Sequence, residues 1–408
     1  MRSVPEHQEH VNALFASPRT VTLPANEALG RVLAEDITAT VALPGFDNSA
    51  MDGYAVQAAD IAAATDDEPV ILPVVEDIPA GRTDHLTLSA GTAHRIMTGA
   101  PLPAGADAVI QVEKTDGGVD EVRIYSAVSK GAAIRSAGSD IAPGRIALTA
   151  GRVLHAPQLG LLAALGLAHV QVFAPLRVLV LSTGSELVPA GTPLDHGQIY
   201  ESNGAMLTAA AAEAGAVAEQ VHFVPDSVDE FRARLDDYVD REQGADLIIT
   251  SGGVSAGAYE VVKDALTGHG VEFTKVAMQP GMPQGCGHYT SAAGTAVPII
   301  TLPGNPVSAQ VSFEVFVRPP LRAAMGLPRR RRTAHARVTE SFTSPPGKRQ
   351  FRRGELEIVG GEPTVAPIGP PGSHHLAFMA SANALLDIAA DVERVEAGSI
   401  IEALLLED

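Results

Sequence analysis

Cysteine is almost missing from this sequence of 408 residues. The one thiol, Cys286, excludes an intrachain disulfide and, with no second cysteine, any metal site built on clustered thiolates. A reducing compartment, the cytoplasm, is the expectation. Long apolar runs are missing too. The longest are strand-sized and broken by Gly, Pro or charge, well short of the roughly 20 residues that a membrane-spanning helix needs. The first residues, MRSVPEHQEHVNALF, carry acids and histidines where a secretory leader has a basic end and then an apolar run, so they read as mature protein. Basic residues are in deficit: the formal net charge of −19 argues against a nucleic-acid footprint spread over the whole surface. The one basic cluster, Arg329 to Arg332 with Lys348, Arg349, Arg352 and Arg353, has no interleaved aromatic residues for base stacking and reads as a solvated linker and hairpin. No G-x-x-x-x-G-K-[ST] occurs, no G-x-G-x-x-G follows the first α/β strand, and there is no G-x-S-x-G. A Walker A loop, a dinucleotide fingerprint and a serine-hydrolase elbow are thereby excluded. Cys286 has no identifiable base, so a thiol nucleophile is poorly supported.

With 46% hydrophobic residues the chain can bury a core, and its length exceeds what one core serves, so two or more domains are expected. Residues 1–43 suggest two short helices, the second around Asn26 to Leu33. Residues 44–145 are rich in Gly and Pro, with short β-type runs at Val70 to Val75, Ala108 to Val112 and Val122 to Ala127. Ala156 to Leu167 reads as a helix. From Leu176 onward, continuous apolar runs alternate with helix-like segments: Arg177 to Leu181, Val217 to Val224, Asp246 to Thr250, Val271 to Ala277 and Val297 to Leu302. Ser227 to Glu230 is a candidate capping box, after which Val228, Phe231, Leu235 and Val239 recur at helical spacing. This pattern predicts a parallel α/β sheet covered on both faces. The last stretch returns to short strands, Thr333 to Val338, Glu355 to Val359 and Ile400 to Leu405, and predicts a small β-barrel or sandwich.

In an open α/β sheet, ligands sit outside the carboxyl ends of the strands. Four predicted strands run into polar turns there: Ser182-Thr183-Gly184-Ser185-Glu186, Pro225-Asp226-Ser227, Ser251-Gly252-Gly253-Val254-Ser255 and Pro303-Gly304-Asn305-Pro306. Glycines let a backbone approach a phosphate, and a following helix offers N–H groups to an anion. Asp226, Glu186 and Glu260 offer the hard oxygen ligands that Mg²⁺ uses beside a phosphate. The set predicts a nucleotide or phosphate pocket with a divalent ion. Two further segments, Pro44 to Tyr54 and Arg95 to Pro101, read as a loop and as a strand ending in a tight turn. The paired His374 and His375 read as exposed turn histidines.

Six stretches then carry a resemblance: PGFDNSAMDGYAV (44–56), RIMTGAPLPAGADAVIQVE (95–113), LSTGSEL (181–187), QIYESN (198–203), TSGGVSAG (250–257) and TLPGNPVSAQVSFEVFVR (301–318). Together they resemble the MoeA family, which includes the E domain of gephyrin. The resemblance implies a linker domain (1–43 and 146–175), an inserted β-rich domain (44–145), a molybdopterin-binding α/β domain (176–326) and a C-terminal β-barrel (327–408). It implies a homodimer whose cleft joins the α/β domain of one subunit to the inserted domain of the other. The implied reaction takes adenylylated molybdopterin and molybdate, with Mg²⁺, to the molybdenum cofactor and AMP. By position, Asp52, Thr98, Asp140 and Glu186 fall where the family has catalytic groups. Ser251, Gly252, Gly253, Ser255, Lys275, Pro303, Gly304, Asn305 and Ser308 fall in its substrate-binding loops, and Asp226, Glu260 and Glu186 at its metal. A molybdopterin adenylyltransferase and apo-molybdoenzymes are the implied protein partners; nucleic acid and membrane are not.

Two departures stand out. Glu260 occupies a position where the family commonly has aspartate, which changes the reach of the carboxylate. The family's P-G-K-P is here Pro280-Gly281-Met282-Pro283, so a lysine suited to an anion is missing, with Lys275, Arg349 or Arg352 left to compensate. Two alternatives stay open: an adenylyltransferase acting one step earlier, against which the inserted and C-terminal segments argue, and a scaffold paralogue that binds the pterin without turnover. Tungstate in place of molybdate also stays open.

Overall fold

The computed structural model describes residues 1–184, 186–222, 227–242, 244–252 and 261–407. The chain forms two compact units: Met1–Val21 with Gly30–Ala34 and Val172–Asp408, and Thr22–Leu29 with Glu35–Gln171.

In the smaller unit a five-stranded sheet runs in the order Ala108–Gln111, Gly53–Val56, Ala93–Ile96, Val70–Ile78, Glu121–Ile124. Alternation along the strands feeds two cores. Tyr54, Val56, Ala108 and Ile110 join Val122 and Ile124 on one face, while Ala55, Ile78, Ile96 and Val109 share the other. Gly53–Val56 is a fully buried strand, although its surroundings, full of turn formers, read as a loop. Gly53 makes the pairing possible, because a Cβ there would lie 2.0 Å from the Ile110 carbonyl oxygen.

The larger unit begins with helix Val4–Asn12, started by a capping box: Ser3 Oγ accepts from the Glu6 N–H, and Glu6 Oε2 accepts from the Ser3 N–H at 2.8 Å. The second helix expected near Asn26 to Leu33 is reduced to the 3₁₀ turn Ala25–Glu27. Gly30, at φ +73°, breaks the run, and Val32 and Leu33 are taken up by pairing with Phe173 and Val172 instead.

The α/β sheet has six strands in the order Val217–His222, Arg177–Ser182, Leu247–Ser251, Ala296–Leu302, Pro283–Thr290, Val271–Lys275. The first four are parallel. Val178 and Val180 pack with helix Asn203–Glu213 and Phe313 on one face; Leu179 and Leu181 pack with Phe231, Leu235 and Val239 of helix Val228–Asp240 on the other. Burying a leucine such as Leu181 in this way contributes about 1.5–3 kcal/mol. One strand departs from the all-parallel expectation: Pro283–Thr290 is antiparallel to both neighbours. The physical reason is the short connection to Ala296, since a few residues suffice for a hairpin but not for a crossover. Its two glycines and one proline had hidden it as a strand.

The barrel is closed. Arg349–Val359 pairs with Glu362–Pro367 on one side and Ala384–Ile388 on the other, and Thr333–Val338 and Ile400–Leu405 complete the ring. Between sheet and barrel, helix Pro306–Ser312 passes through a π turn, Phe313–Val317, into helix Arg318–Ala324. Pro319 has no N–H for the Val315 carbonyl, which accepts from Gln8 Nε2 at 3.2 Å instead.

Of the cluster read as solvated, Arg329, Arg330 and Arg332 are exposed as expected, but the side chains of Arg331 and Arg353 are internal. Arg331 is 7% exposed and grips Glu314 with two nitrogens, and Arg353 is 3% exposed and donates to the Gly372 and Pro370 carbonyls. Arg349 pairs with Asp387. A planar guanidinium whose fork is filled by carboxylate or carbonyl oxygens can be buried where an ammonium could not. Cys286 is buried, which pushes its thiol up to about 11 and leaves it unreactive. Among the described residues no helix is long and apolar enough to cross a membrane.

Candidate functional site

Three of the four polar turns converge as the strand-end rule requires. Ser182, Ser251 and Leu302 are level with one another across neighbouring parallel strands, so the turns that follow leave the sheet side by side. The Gly252 N–H donates to the Leu302 carbonyl at 3.2 Å. Gly252 takes φ +96°, a left-handed conformation suited to glycine, and a Cβ on Gly304 would stand 3.4 Å from Gly252 Cα. The turns therefore meet backbone to backbone. Ser251, Pro303 and Ser308 are buried beneath them, while Gly304 and Asn305 are exposed.

Side chains outside the four turns fix this arrangement. Asn203, first residue of helix Asn203–Glu213, donates through Nδ2 to Ser251 Oγ at 2.9 Å and to the Gly304 carbonyl at 2.6 Å. Glu201 accepts from Ser182 Oγ at 2.9 Å, from the Gly204 N–H at 2.6 Å and from Gln220 Nε2 at 2.7 Å. Asn305 Nδ2 donates to Ser373 Oγ at 2.9 Å, tying the Pro303-Gly304-Asn305 turn to the loop that carries His374 and His375. The two imidazoles lie 4.0 Å apart between ring centroids, His374 exposed and His375 half-buried. Sequence reasoning assigned no role to Glu201, Asn203, Gln220 or Ser373. The available signal was ESN immediately before an alanine-rich helix: polar residues at a helix start bond backwards to whatever lies under them.

The remaining assignments divide. Lys275 ends Val271–Lys275, which points toward the same edge, but lies two strands, roughly 10 Å, beyond Ala296–Leu302. Glu186 is exposed, with its carboxylate folded back against Gly184. Its hard oxygens suit Mg²⁺. Gly253, Ser255, Asp226 and Glu260 lie outside the described residues, and among the described residues no three His, Cys, Asp or Glu stand together as a metal site.

In the smaller unit Asp52 and Thr98, 46 positions apart, are joined. Asp52 Oδ1 accepts from the Thr98 N–H at 2.6 Å and from Thr98 Oγ1 at 2.7 Å. These bonds, hydroxyl before amide, with Arg95 adding to them, hold the Asp52 carboxyl below the usual carboxylate range. Oδ2 has no partner among the described residues, and the residue is exposed. The result is an ionised carboxylate with one oxygen fixed and one presented. Asp140 is exposed; its backbone N–H binds the Leu43 carbonyl, and no bond links its carboxylate to Asp52 or Thr98 among the described residues.

The class defined here is a multidomain α/β protein with glycine turns meeting at one strand edge of its central sheet, a curled β unit carrying a fixed carboxylate, and a closed C-terminal barrel. Comparison with known proteins narrows it. Residues 2–166 match the MoeA N-terminal region (domain I and II), 179–323 a probable molybdopterin binding domain, and 335–406 the MoeA C-terminal region (domain IV). Molybdopterin molybdenumtransferase 2 of Mycobacterium tuberculosis is 57% identical, over 98% of this chain and 99% of that protein. Molybdopterin molybdenumtransferase 1 of the same organism is 36% identical, over 100% and 99%. A solved MoeA protein from Pyrococcus horikoshii superposes with a TM-score of 0.82 at 32% identity, covering 100% of this chain and 99% of that one. The chain belongs to the MoeA family.

Proposed function

We propose that this chain is a molybdopterin molybdenumtransferase, inserting molybdenum from molybdate into adenylylated molybdopterin and releasing AMP. The observation that carries the reading is the meeting of the Ser251-Gly252 and Pro303-Gly304 turns at one strand edge, a backbone surface that suits a phosphate, in a chain similar over nearly its whole length to proteins of that name. The turns, with Gly253, Ser255, Asn305, Ser308 and Lys275, bind the pterin phosphate. Glu186, Asp226 and Glu260 hold Mg²⁺, which when bound neutralises charge on the phosphoanhydride. Asp52, oriented by Thr98, acts as the catalytic carboxylate through its unbonded oxygen, with Asp140 as a second acidic group. Water cleaves the anhydride, leaving phosphate on the pterin and AMP as the second product, and the two dithiolene sulfurs replace two oxygens of molybdate, which take up protons and leave as water.

The four-domain division assigned from the sequence belongs to the same proposal, as do a cytoplasmic location and a homodimer in which Asp52 and Thr98 of one protomer serve the turns of its partner. The dimer reading rests on the likeness to the MoeA family. The test is incubation with adenylylated molybdopterin, molybdate and Mg²⁺, measuring AMP release and activation of an apo-molybdoenzyme. Release that Asp52→Ala abolishes supports the reading. Background release by the unmodified chain overturns it in favour of a scaffold, and an adenylylated product from molybdopterin and Mg-ATP overturns it in favour of an adenylyltransferase.

A further inference from the structure

We propose that Asn203 is a positioning residue that locks the two glycine turns of the strand edge into one frame, and that Glu201 fixes Asn203. The inference rests on the functional reading above and adds to it the device that keeps the phosphate-binding backbone in shape.

Glycine turns have little to hold them, because they lack the side chains that pack and lock other loops. Gly252 and Gly304 face each other, so their register depends on hydrogen bonds. Apart from the Gly252 N–H to Leu302 bond, the link between the two turns among the described residues is the Asn203 side chain. Its geometry is unambiguous. The Gly304 carbonyl can only accept, so the amide nitrogen must face it, and the second proton of the same nitrogen points to Ser251 Oγ. One planar NH₂ group thus bridges the ends of neighbouring strands. Aspartate has the same shape and no donor, and alanine has neither.

The bridge is useful only if its base is fixed. Glu201, two residues earlier, supplies that base. Its Oε1 holds the helix start through the Gly204 N–H and strand Arg177–Ser182 through Ser182 Oγ; its Oε2 holds strand Val217–His222 through Gln220. A carboxylate with three donors is a stiff joint. From Ser182 and Gln220 through Glu201 to Asn203, and on to Ser251 and Gly304, one network ties together four adjacent parallel strands.

The test uses the full-length protein and three variants: Asn203→Ala, Asn203→Asp and Ser251→Ala. Steady-state AMP release separates KM from kcat, and hydrogen exchange at the Gly252 amide reports the turns without chemistry. Losing one or two neutral bonds of this kind is expected to raise KM for adenylylated molybdopterin roughly 5- to 30-fold in Asn203→Ala, with kcat reduced far less. Asn203→Asp is expected to be worse, because it also sets a negative charge beside the anion. Faster exchange at Gly252 with an unchanged melting temperature completes the expected result. Where Asn203→Ala fails to fold, the isosteric Asn203→Asp carries the test. Parental KM and parental Gly252 exchange in both Asn203 variants overturn the proposal. If the unmodified chain releases no AMP, the functional reading fails by itself, and the exchange measurement still decides the role of Asn203.

Discussion

Replacing Gly53 by alanine tests how the sheet sets the position of the carboxylate beside it. The added Cβ would lie 2.0 Å from the Ile110 carbonyl oxygen and 2.9 Å from both Ile110 C and Gln111 Cα. All three atoms are main chain, so no rotamer change relieves the clash. Restoring a tolerable contact needs a strand displacement of about 1 Å, which stretches ladder bonds beyond the 2.7–3.2 Å at which they hold. Overpacking of this kind costs about 1–3 kcal/mol, and two or three weakened bonds add about 1 kcal/mol each, giving about 3–6 kcal/mol. For a unit of this size the melting temperature falls by about 10–20 °C. Asp52 is the preceding residue, and its two bonds to Thr98 fix it only while the strand stays in place, so AMP release falls on the order of 100-fold. The assay pairs thermal unfolding with turnover. The control is Gly160→Ala in helix Ala156–Ala164, where a Cβ meets nothing within 4 Å and stability rises by about 0.5–1 kcal/mol. A Gly53→Ala protein that melts within about 2 °C of the parent and turns over normally refutes the reasoning.

Asp52→Asn keeps an acceptor for both Thr98 donors and removes the charge; thermal unfolding is expected to be unchanged while AMP release drops about 100-fold or more. Because the Thr98 bonds hold the Asp52 carboxyl low, its ionisation should leave no step in the rate between about pH 5 and 8. His7 is buried edge-on against Phe316, and burial, with Arg2 next, lowers its imidazole to about 4. The unfolded chain takes a proton near 6.5 that the native state refuses until about 4, so stability falls by about 3 kcal/mol as pH drops across that window and then levels; denaturant titrations of His7→Leu should lose this slope. Lys275→Gln is expected to raise the apparent KM for adenylylated molybdopterin on the order of tenfold, and Met282→Lys in that background to recover part of it.

Patterns longer than a few residues were legible in the sequence. Val228, Phe231, Leu235 and Val239 announce a helix, and Phe231, Leu235 and Val239 are the residues it buries. The continuous runs from Arg177 to Leu181 and from Val297 to Leu302 lie in strands buried on both faces, and the turns after them share an edge. Short or glycine-bearing elements were not legible. Gly53–Val56 is four residues long, too few to show alternation, and Pro283–Thr290 carries no hydrophobic period because Gly285 makes room for the Thr301 and Phe273 side chains and Gly287 for the Gly270 backbone. The Asp52–Thr98 pair became visible only when the strands Gly53–Val56 and Ala93–Ile96 were seen side by side. Asn203 illustrates a different limit: ESN ahead of a helix signals a side chain that bonds backwards, but not which two distant turns it bridges.

The Pro280 to Pro283 turn shows why a residue suited to an anion can be exchanged there without loss of structure. Its shape is held by groups other than the side chain at 282. Gln284 Nε2 donates to the Gly281 carbonyl and to Ser312 Oγ, both at 2.7 Å, and the Met282 carbonyl accepts from the Val276 N–H at 2.7 Å. Gly281 takes the left-handed conformation at φ +99°. Position 282 can therefore carry methionine or lysine on the same backbone, and what changes is charge alone. The Val276 bond also sets Lys275 beside Met282, because Lys275 and Pro283 are partners in the adjoining ladder. A cation thus remains at this corner, one residue displaced. In a chain with a net charge of −19 the field of the whole molecule opposes an anionic substrate, so the proposed function requires local charge and backbone N–H groups to attract it within the screening length of about 8 Å.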